Sequence, residues 1–300
     1  MHRLAVLLAV TAASAYAYDA QCISDAIAWN TADAAKQYRL LRPFSACVDD
    51  PEAGAYIPTN TTVNYIHPAY QSMATGTGNL SVLFIGNSYS HRASMVISQL
   101  LDGKYSKLRL FARSACNPAS HTDPCTEFFA AAKQVAELQK PDIIFLIFQT
   151  YYNTTVLDPI VDINTDATAA ILRNFVGTFS ALAPHVVYET TFETPTVMVA
   201  QTLVDRLSNG SSIDDLKMDY AAWQAESAPY YQRIATINYP NVVVHSVSPD
   251  VCSNDGYCYL YNQANLHALY TDNLHFSPEG LEMQKNSFKN IINGFYPGLI

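Results

Sequence analysis

The sequence predicts an α/β fold built on a five-stranded parallel sheet with helices on both faces. Three observations carry this. Five short, almost wholly apolar runs recur between residues 81 and 247, each of strand length. Stretches with helical periodicity separate them, the spacing that a parallel sheet with crossover helices requires. The chain has 300 residues, of which 49% are hydrophobic and only 14% charged, enough apolar material to bury both faces of such a sheet in one large domain.

Taken in order, the first segment is MHRLAVLLAVTAASAYA. A basic start with Arg3, an apolar run from Leu4 to Val10, and small residues ending at Ala17 form the pattern of a cleaved secretory signal, residues 1–17. The apolar run is too short to span a bilayer, and no later segment offers about 18 consecutive apolar residues, so no membrane span is expected. Residues 18–79 read as an irregular N-terminal extension packed on the main domain. It has one short helical pattern near 23–41 and then a Pro-, Thr- and Asn-rich run that ends at TGTGN, residues 75–79.

The main domain is expected over residues 80–300. SVLFIG (81–86) is a strand buried on both faces, followed by a helix near 91–102. KLRLFA (107–112) is the second strand, with a helix over 126–139. DIIFLIF (142–148) is the third, with a helix over 166–182. HVVYET (185–190) is the fourth, followed by helices over 196–207 and 217–235. NVVVHSV (241–247) is the fifth. A last helix over 278–293 starts with Ser277 as N-cap and Pro278 at its first position. Right-handed crossovers would gather every strand C-terminus on one edge, where open α/β sheets bind ligands.

A formal charge of −9 and the lack of any basic cluster argue against a nucleic-acid partner. Six cysteines, Cys22, Cys47, Cys116, Cys125, Cys252 and Cys258, lie beyond the predicted cleavage. An even number in an exported chain points to disulfides, and six allow 15 pairings; short loops favour 22–47, 116–125 and 252–258. A zinc site is the rival, but no C-x-x-C pair occurs. Asn60, Asn79, Asn153 and Asn209 open N-x-S/T sequons and are candidate glycosylation sites.

The candidate chemistry sits in two segments. GNSYSH places Ser88 after the first strand and at a helix start, where negative charge is stabilised. A serine needs a neutral His as base and a carboxylate to orient that His. DNLHFSPEG (272–280) supplies both, because Asp272 lies three residues before His275 and a turn can bring them together. The bland alternatives are an N-cap role for Ser88 and a capping pair for Asp272 and His275. His91, three residues after Ser88, is expected on the surface by helical spacing. His67, His121, His185, His245 and His267 have no partner pattern, and a metal set of Asp272, His275 and His267 matches no zinc spacing.

FIGNS (84–88) and DNLH (272–275), in this order and flanking a five-stranded pattern, resemble the SGNH hydrolases, or GDSL-like esterases, and especially the SGNH domains attached to membrane O-acyltransferases. The resemblance covers about residues 80–297. It implies a three-layer flavodoxin-like fold, a Ser88–His275–Asp272 triad, no cofactor, and small O-acyl esters of carbohydrates or lipids as substrates. Two departures stand out. Asn87 replaces the family's usual Asp, which is not the triad carboxylate. The middle blocks are poorly matched: RSACNP (113–118) lacks the Gly that donates to the oxyanion, and QTYYN (149–153) offers Asn153, whose sequon would exclude it from a buried oxyanion hole. Gln149 and the backbone N–H groups of Ser88 and Ser114 are the substitute donors.

Three functions follow. The first is a secreted, extracellular serine esterase working through an acyl-enzyme on Ser88. The second is an O-acyltransferase in which a glycan hydroxyl replaces water as acceptor. The third is a catalytically silent glycan-binding protein.

Overall fold

A computed structural model describes residues 18–36, 48–56, 71–119, 123–150, 154–190, 192 and 194–300. The extension supplies helix α1 (Ala20–Ala34), strand β1 (Val48–Asp49), the short helix α2 (Pro51–Gly54) and strand β2 (Gln71–Thr75). The main domain alternates as the pattern predicts: β3 (Leu80–Gly86), α3 (Ser88–Leu100), β4 (Tyr105–Ala112), α4 (Asp123–Gln139), β5 (Ile143–Ile147), α5 (Ala167–Ser180), β6 (His185–Glu189) and α6 (Val199–Ser208). β7 (Lys217–Asp219), α7 (Tyr220–Ile234), β8 (Val242–His245), α8 (Ser248–Val251), β9 (Tyr257–Tyr259), α9 (Pro278–Met283) and α10 (Lys285–Phe295) complete it. Polar caps open several helices. Asp19, Asn87, Asp166, Asp219 and Ser277 each accept a backbone N–H of the first turn they precede.

The five apolar runs pair in parallel in the order β4-β3-β5-β6-β8, a flavodoxin-like 2-1-3-4-5 winding. Successive residues of each strand enter opposite cores. Val82, Phe84, Phe145 and Ile147 pack with α3, α6 and α10 on one face. Leu83, Ile85, Ile144 and Leu146 pack with α4 and α5 on the other.

The sheet is larger than expected, with seven strands. β1 and β2 come from the extension and add antiparallel beyond β4. Arg109 on β4 is fully buried and donates to Asp50 beside β1 and to Glu52 Oε2 at 2.6 Å, which ties the extension to the sheet. The expected 217–235 helix starts later, because Lys217–Asp219 pairs with Tyr257–Tyr259 in a separate two-stranded ribbon. The last helix is broken at Gln284, whose buried amide donates to Gly280 O and whose N–H closes a tight turn on Leu281 O. His91 is buried, contrary to the helical-spacing expectation. α3 is covered by strands on one side and by α9 and α10 on another, so residues 90–94 are all enclosed.

Two of the expected disulfides are present, Cys116–Cys125 and Cys252–Cys258. Cys22 lies half-buried on α1, and Cys47 lies outside the described residues, as do the signal segment, Asn60 and Asn153. Asn79 and Asn209 are exposed. No helix among the described residues is long and apolar enough to cross a membrane.

Gly86 ends β3, where a Cβ would lie 1.9 Å from Ile147 O and 2.5 Å from Ser90 Cβ. Backbone cannot yield there without breaking the β3–β5 pairing. Gly86→Ala is therefore expected to cost about 3 kcal/mol or more of stability, read as a lowered urea midpoint at an unchanged slope.

Candidate active site

Ser88 is the first residue of α3, directly beyond the carboxyl end of the central strand β3. Asn87 fixes that turn. Its Oδ1 accepts the Tyr89 N–H at 3.1 Å, and its Nδ2 donates to Gln149 O at 3.2 Å, so it caps α3 and ties the β3 and β5 ends together. The DNLH segment forms its own turn. Asp272 Oδ1 accepts the N–H groups of Leu274 at 2.7 Å and His275 at 2.8 Å, the local bonding that Asp favours in loops. Its Oδ2 accepts from His275 Nδ1 at 3.0 Å. That places the imidazole proton on Nδ1 and leaves Nε2 as the acceptor for Ser88 Oγ, 2.8 Å away.

The three groups grade from solvent inward. Ser88 is half-buried, His275 is 7% exposed and Asp272 fully buried. Burial alone would raise the Asp272 carboxyl. The His275 hydrogen bond and charge, with the two backbone N–H groups, overcome it and hold the group at about 2. Its stabilising contribution is present above its ordinary value of 3.8 and lost only as pH falls through about 2.

α3 also grips the loop that carries His275. The Tyr89 hydroxyl donates to Leu274 O, and its ring lies 5.6 Å from that of His275. Arg92, four residues after Ser88 and buried, donates to Phe276 O at 3.2 Å and Thr271 Oγ1 at 3.3 Å. From the extension, Asn30 on α1 donates to Leu266 O and accepts from Ala268 N, and Asp33 lies against Thr271 and Arg92, its carboxyl raised by burial. Sequence reasoning missed Tyr89, Arg92, Asn30 and Asp33. Only Arg92 carried a signal, since the fourth position after Ser88 shares its side of a helix.

The oxyanion candidates fare differently. Ser114 sits in the turn after β4, half-buried, and the next residue, Ala115, has φ +60°, a conformation that favours glycine. Arg113 N donates to Gly86 O at 2.8 Å and Cys116 is bonded to Cys125, so this turn is held beside the end of β3. The Gln149 amide donates to Phe192 O at 2.8 Å and to Tyr89 Oη at 3.4 Å. Both its hydrogens are directed at these partners, so Gln149 braces the β5 end against Phe192 and Tyr89. His267 stacks on Trp29 at 4.3 Å and faces Glu279, away from any shared site with Asp272 and His275. Among the described residues no cluster of His, Cys, Asp and Glu is placed to hold a metal ion.

A second buried network lies at the same sheet edge. His245, at the end of β8, has Nδ1 3.3 Å from Glu189 Oε2 and Nε2 3.3 Å from Asp250 Oδ2. Glu189 ends β6 and borders a small void shared with Tyr89, Arg92 and His275. Burial opposes the charged imidazole, but the two carboxylates outweigh it and push His245 up to about 9.

The sequence model of the SGNH domain fused to AT3 domains matches residues 58–290. Among solved structures, the periplasmic domain of a Salmonella Paratyphi A lipopolysaccharide acetyltransferase is similar at 13% identity. The match covers 72% of this chain and 84% of that one, with a TM-score of 0.51. An acetyl-xylooligosaccharide esterase of Geobacillus matches at 13% identity, covering 73% and 96%, with a TM-score of 0.39. The C-terminal catalytic domain of a Streptococcus pneumoniae peptidoglycan O-acetyltransferase matches at 10%, covering 74% and 96%, with a TM-score of 0.34. At these identities the likeness is one of fold. No curated protein sequence matches the chain.

Because His245 is raised, its contribution to stability is complete below its ordinary 6.5 and is lost as pH rises through about 9. Urea titrations are expected to show a loss of up to about 3 kcal/mol across that window. A folded His245→Gln variant should be flat there; an equal slope in both proteins would assign the loss to other groups.

Proposed function

The chain belongs to the family of SGNH domains fused to acyltransferase-3 (AT3) domains, and from that premise we propose that it is a secreted serine esterase removing short acyl groups from carbohydrates or lipids. Members of this family are generally serine esterases or acyltransferases acting on acyl esters. The observation that carries the reading here is the 2.8 Å approach of His275 Nε2 to Ser88 Oγ.

In this mechanism Ser88 Oγ attacks the ester carbonyl as His275 takes its proton. Asp272 keeps the imidazole in the reactive tautomer and stabilises the imidazolium. The oxyanion is held by the backbone N–H groups of Ser88, in the positive first turn of α3, and of Ser114. His275 returns the proton to the departing alcohol. Water then attacks the acyl-enzyme with His275 again as base, and the free acid leaves. The chemistry of the chain's own residues closes without a cofactor. Acetyl is the acyl group we favour, by analogy with the lipopolysaccharide acetyltransferase whose periplasmic domain shares the fold.

Two disulfides belong to an oxidising compartment, so the protein is extracytoplasmic. The signal-like residues 1–17 and the sequons extend that to secretion as a glycoprotein, with exposed Asn79 and Asn209 as the sites to examine. The second reading is O-acyl transfer to a glycan hydroxyl, favoured by the family's fusion to AT3 domains.

The purified protein is expected to hydrolyse p-nitrophenyl acetate and to be labelled at Ser88 by a fluorophosphonate. Ser88→Ala should lower turnover by about three orders of magnitude or more and abolish labelling. Equal rates for the two proteins would leave only a silent, glycan-binding role, and an acceptor-dependent acyl product would select transfer. Asp272→Asn is expected to lower kcat by about 10³–10⁴-fold with intact folding, because the imidazole loses its correct tautomer.

A further inference from the structure

A groove of about 630 Å³ runs between α7 and the end of β8, away from the triad. One side of α7 lines it. Tyr220, Trp223, Gln224, Tyr231 and Gln232 follow one another at helical spacing, and Ser246 faces them from just beyond β8. Among the described residues, no charged side chain is part of the lining.

The wall has two chemical characters. Tyr220 and Trp223 stack with centroids 5.9 Å apart and planes 17° apart, and Tyr231 meets Trp223 edge-on at 5.6 Å. Trp223 is itself only 3% exposed and backs the wall, so the aromatic faces open to the groove are those of half-buried Tyr220 and Tyr231, held rigid against it. Around it, the exposed amides of Gln224 and Gln232 each offer both donors and an acceptor. The Tyr231 hydroxyl is held by Thr190, Ser248 and Ser246, so the surface is pre-organised. Aromatic faces bordered by neutral amides and hydroxyls, with no charge, match a ligand that has apolar faces, many hydroxyls and no phosphate or carboxylate. A neutral sugar ring has that chemistry.

Position gives the groove its meaning. Ser246 and Ser88 both follow the carboxyl ends of parallel strands, so both lie on one edge of the sheet. The order β3-β5-β6-β8 puts three strand spacings between them, about 14 Å. Phe192 spans part of the interval, packing on Trp223 at 5.0 Å and on Phe276, next to His275, at 6.5 Å. We infer that this groove is a subsite for a neutral glycan chain, holding a sugar unit remote from the one whose ester meets Ser88, so that the preferred substrate is an acylated oligosaccharide instead of a monosaccharide. The substrate preference rests on the esterase reading; the binding site does not.

The sequence has two tryptophans, Trp29 and Trp223, so Trp29→Phe leaves the groove with the only indole. In that background, fluorescence titrations would use xylohexaose, mannohexaose and chitohexaose, with xylose, mannose and N-acetylglucosamine as monomers and a heparin hexasaccharide as the charged control. At least one neutral hexasaccharide is expected to give a saturable change, tighter than its monomer and absent with heparin. Tyr220→Ala and Gln232→Ala should each weaken it by about tenfold. The same two variants should lower kcat/KM on an acetylated form of that hexasaccharide by about tenfold while p-nitrophenyl acetate turnover stays within about twofold. No binding by any neutral hexasaccharide, unchanged affinity in both variants, or equal binding of heparin would overturn the subsite. If Ser88-dependent turnover is absent but binding persists and responds to the variants, the groove stands and the esterase reading falls.

Discussion

The site depends on the contact between the first turn of α3 and the loop 271–276, two segments whose reactive atoms belong to residues 187 positions apart. That contact exists because β3 is central in the sheet and ends in a glycine that lets α3 start against β5. A hydroxyl becomes a nucleophile only when an imidazole acceptor lies within hydrogen-bond reach. Short connections bring Ser88 Oγ and His275 Nε2 within that reach. Ser88 follows its strand after one residue, and His275 is fixed by an Asp that shapes its own turn.

One helix does two tasks at this point. α3 presents Ser88 at its N-terminus and, through Tyr89 and Arg92, holds the backbone that presents His275. Ser88 and His275 are thus referenced to the same rigid body, which limits relative drift between them. The extension adds a second restraint, as Asn30 pairs with both Leu266 and Ala268 in the manner of a missing strand. Residues 18–36 and 71–75 are accordingly structural parts of the site's support, through α1 and the β2 edge.

Charge at the carboxyl edge of the sheet is arranged in compensating groups. Asp272 receives three hydrogen bonds, and Glu189 and Asp250 share His245 between them. Buried carboxylates without such partners would protonate. The void between Glu189 and His275 brings the two networks side by side. The groove along α7, whose described lining is uncharged, lies beside these networks, so one edge carries both a strongly polar cluster around Ser88 and His275 and an aromatic surface.

Local chemistry alone settled much of the design. The continuous apolar character of the five runs, the cap at Ser277 and the turn-forming Asp272 act over a few residues, and each can be read without knowing what lies across the fold; the cap of α3 is Asn87, where the sequence offers Ser88. The flavodoxin-like winding is implied by the family resemblance, and the pairing of FIGNS with DNLH by that resemblance and by a serine's need for a His base and an orienting carboxylate. Tertiary packing decided the rest. His91 is buried because α9 and α10 cover α3, and no helical period reports which elements cover a helix. β1 and β2 join the sheet because an open β4 edge attracts them, and the 217–219 strand forms only against 257–259. Gln149 bonds to Phe192 and Tyr89 because both arrive beside it from distant positions. A side chain's partners at long range are selected by the packing of whole elements, and that selection leaves no trace in the residues next to it.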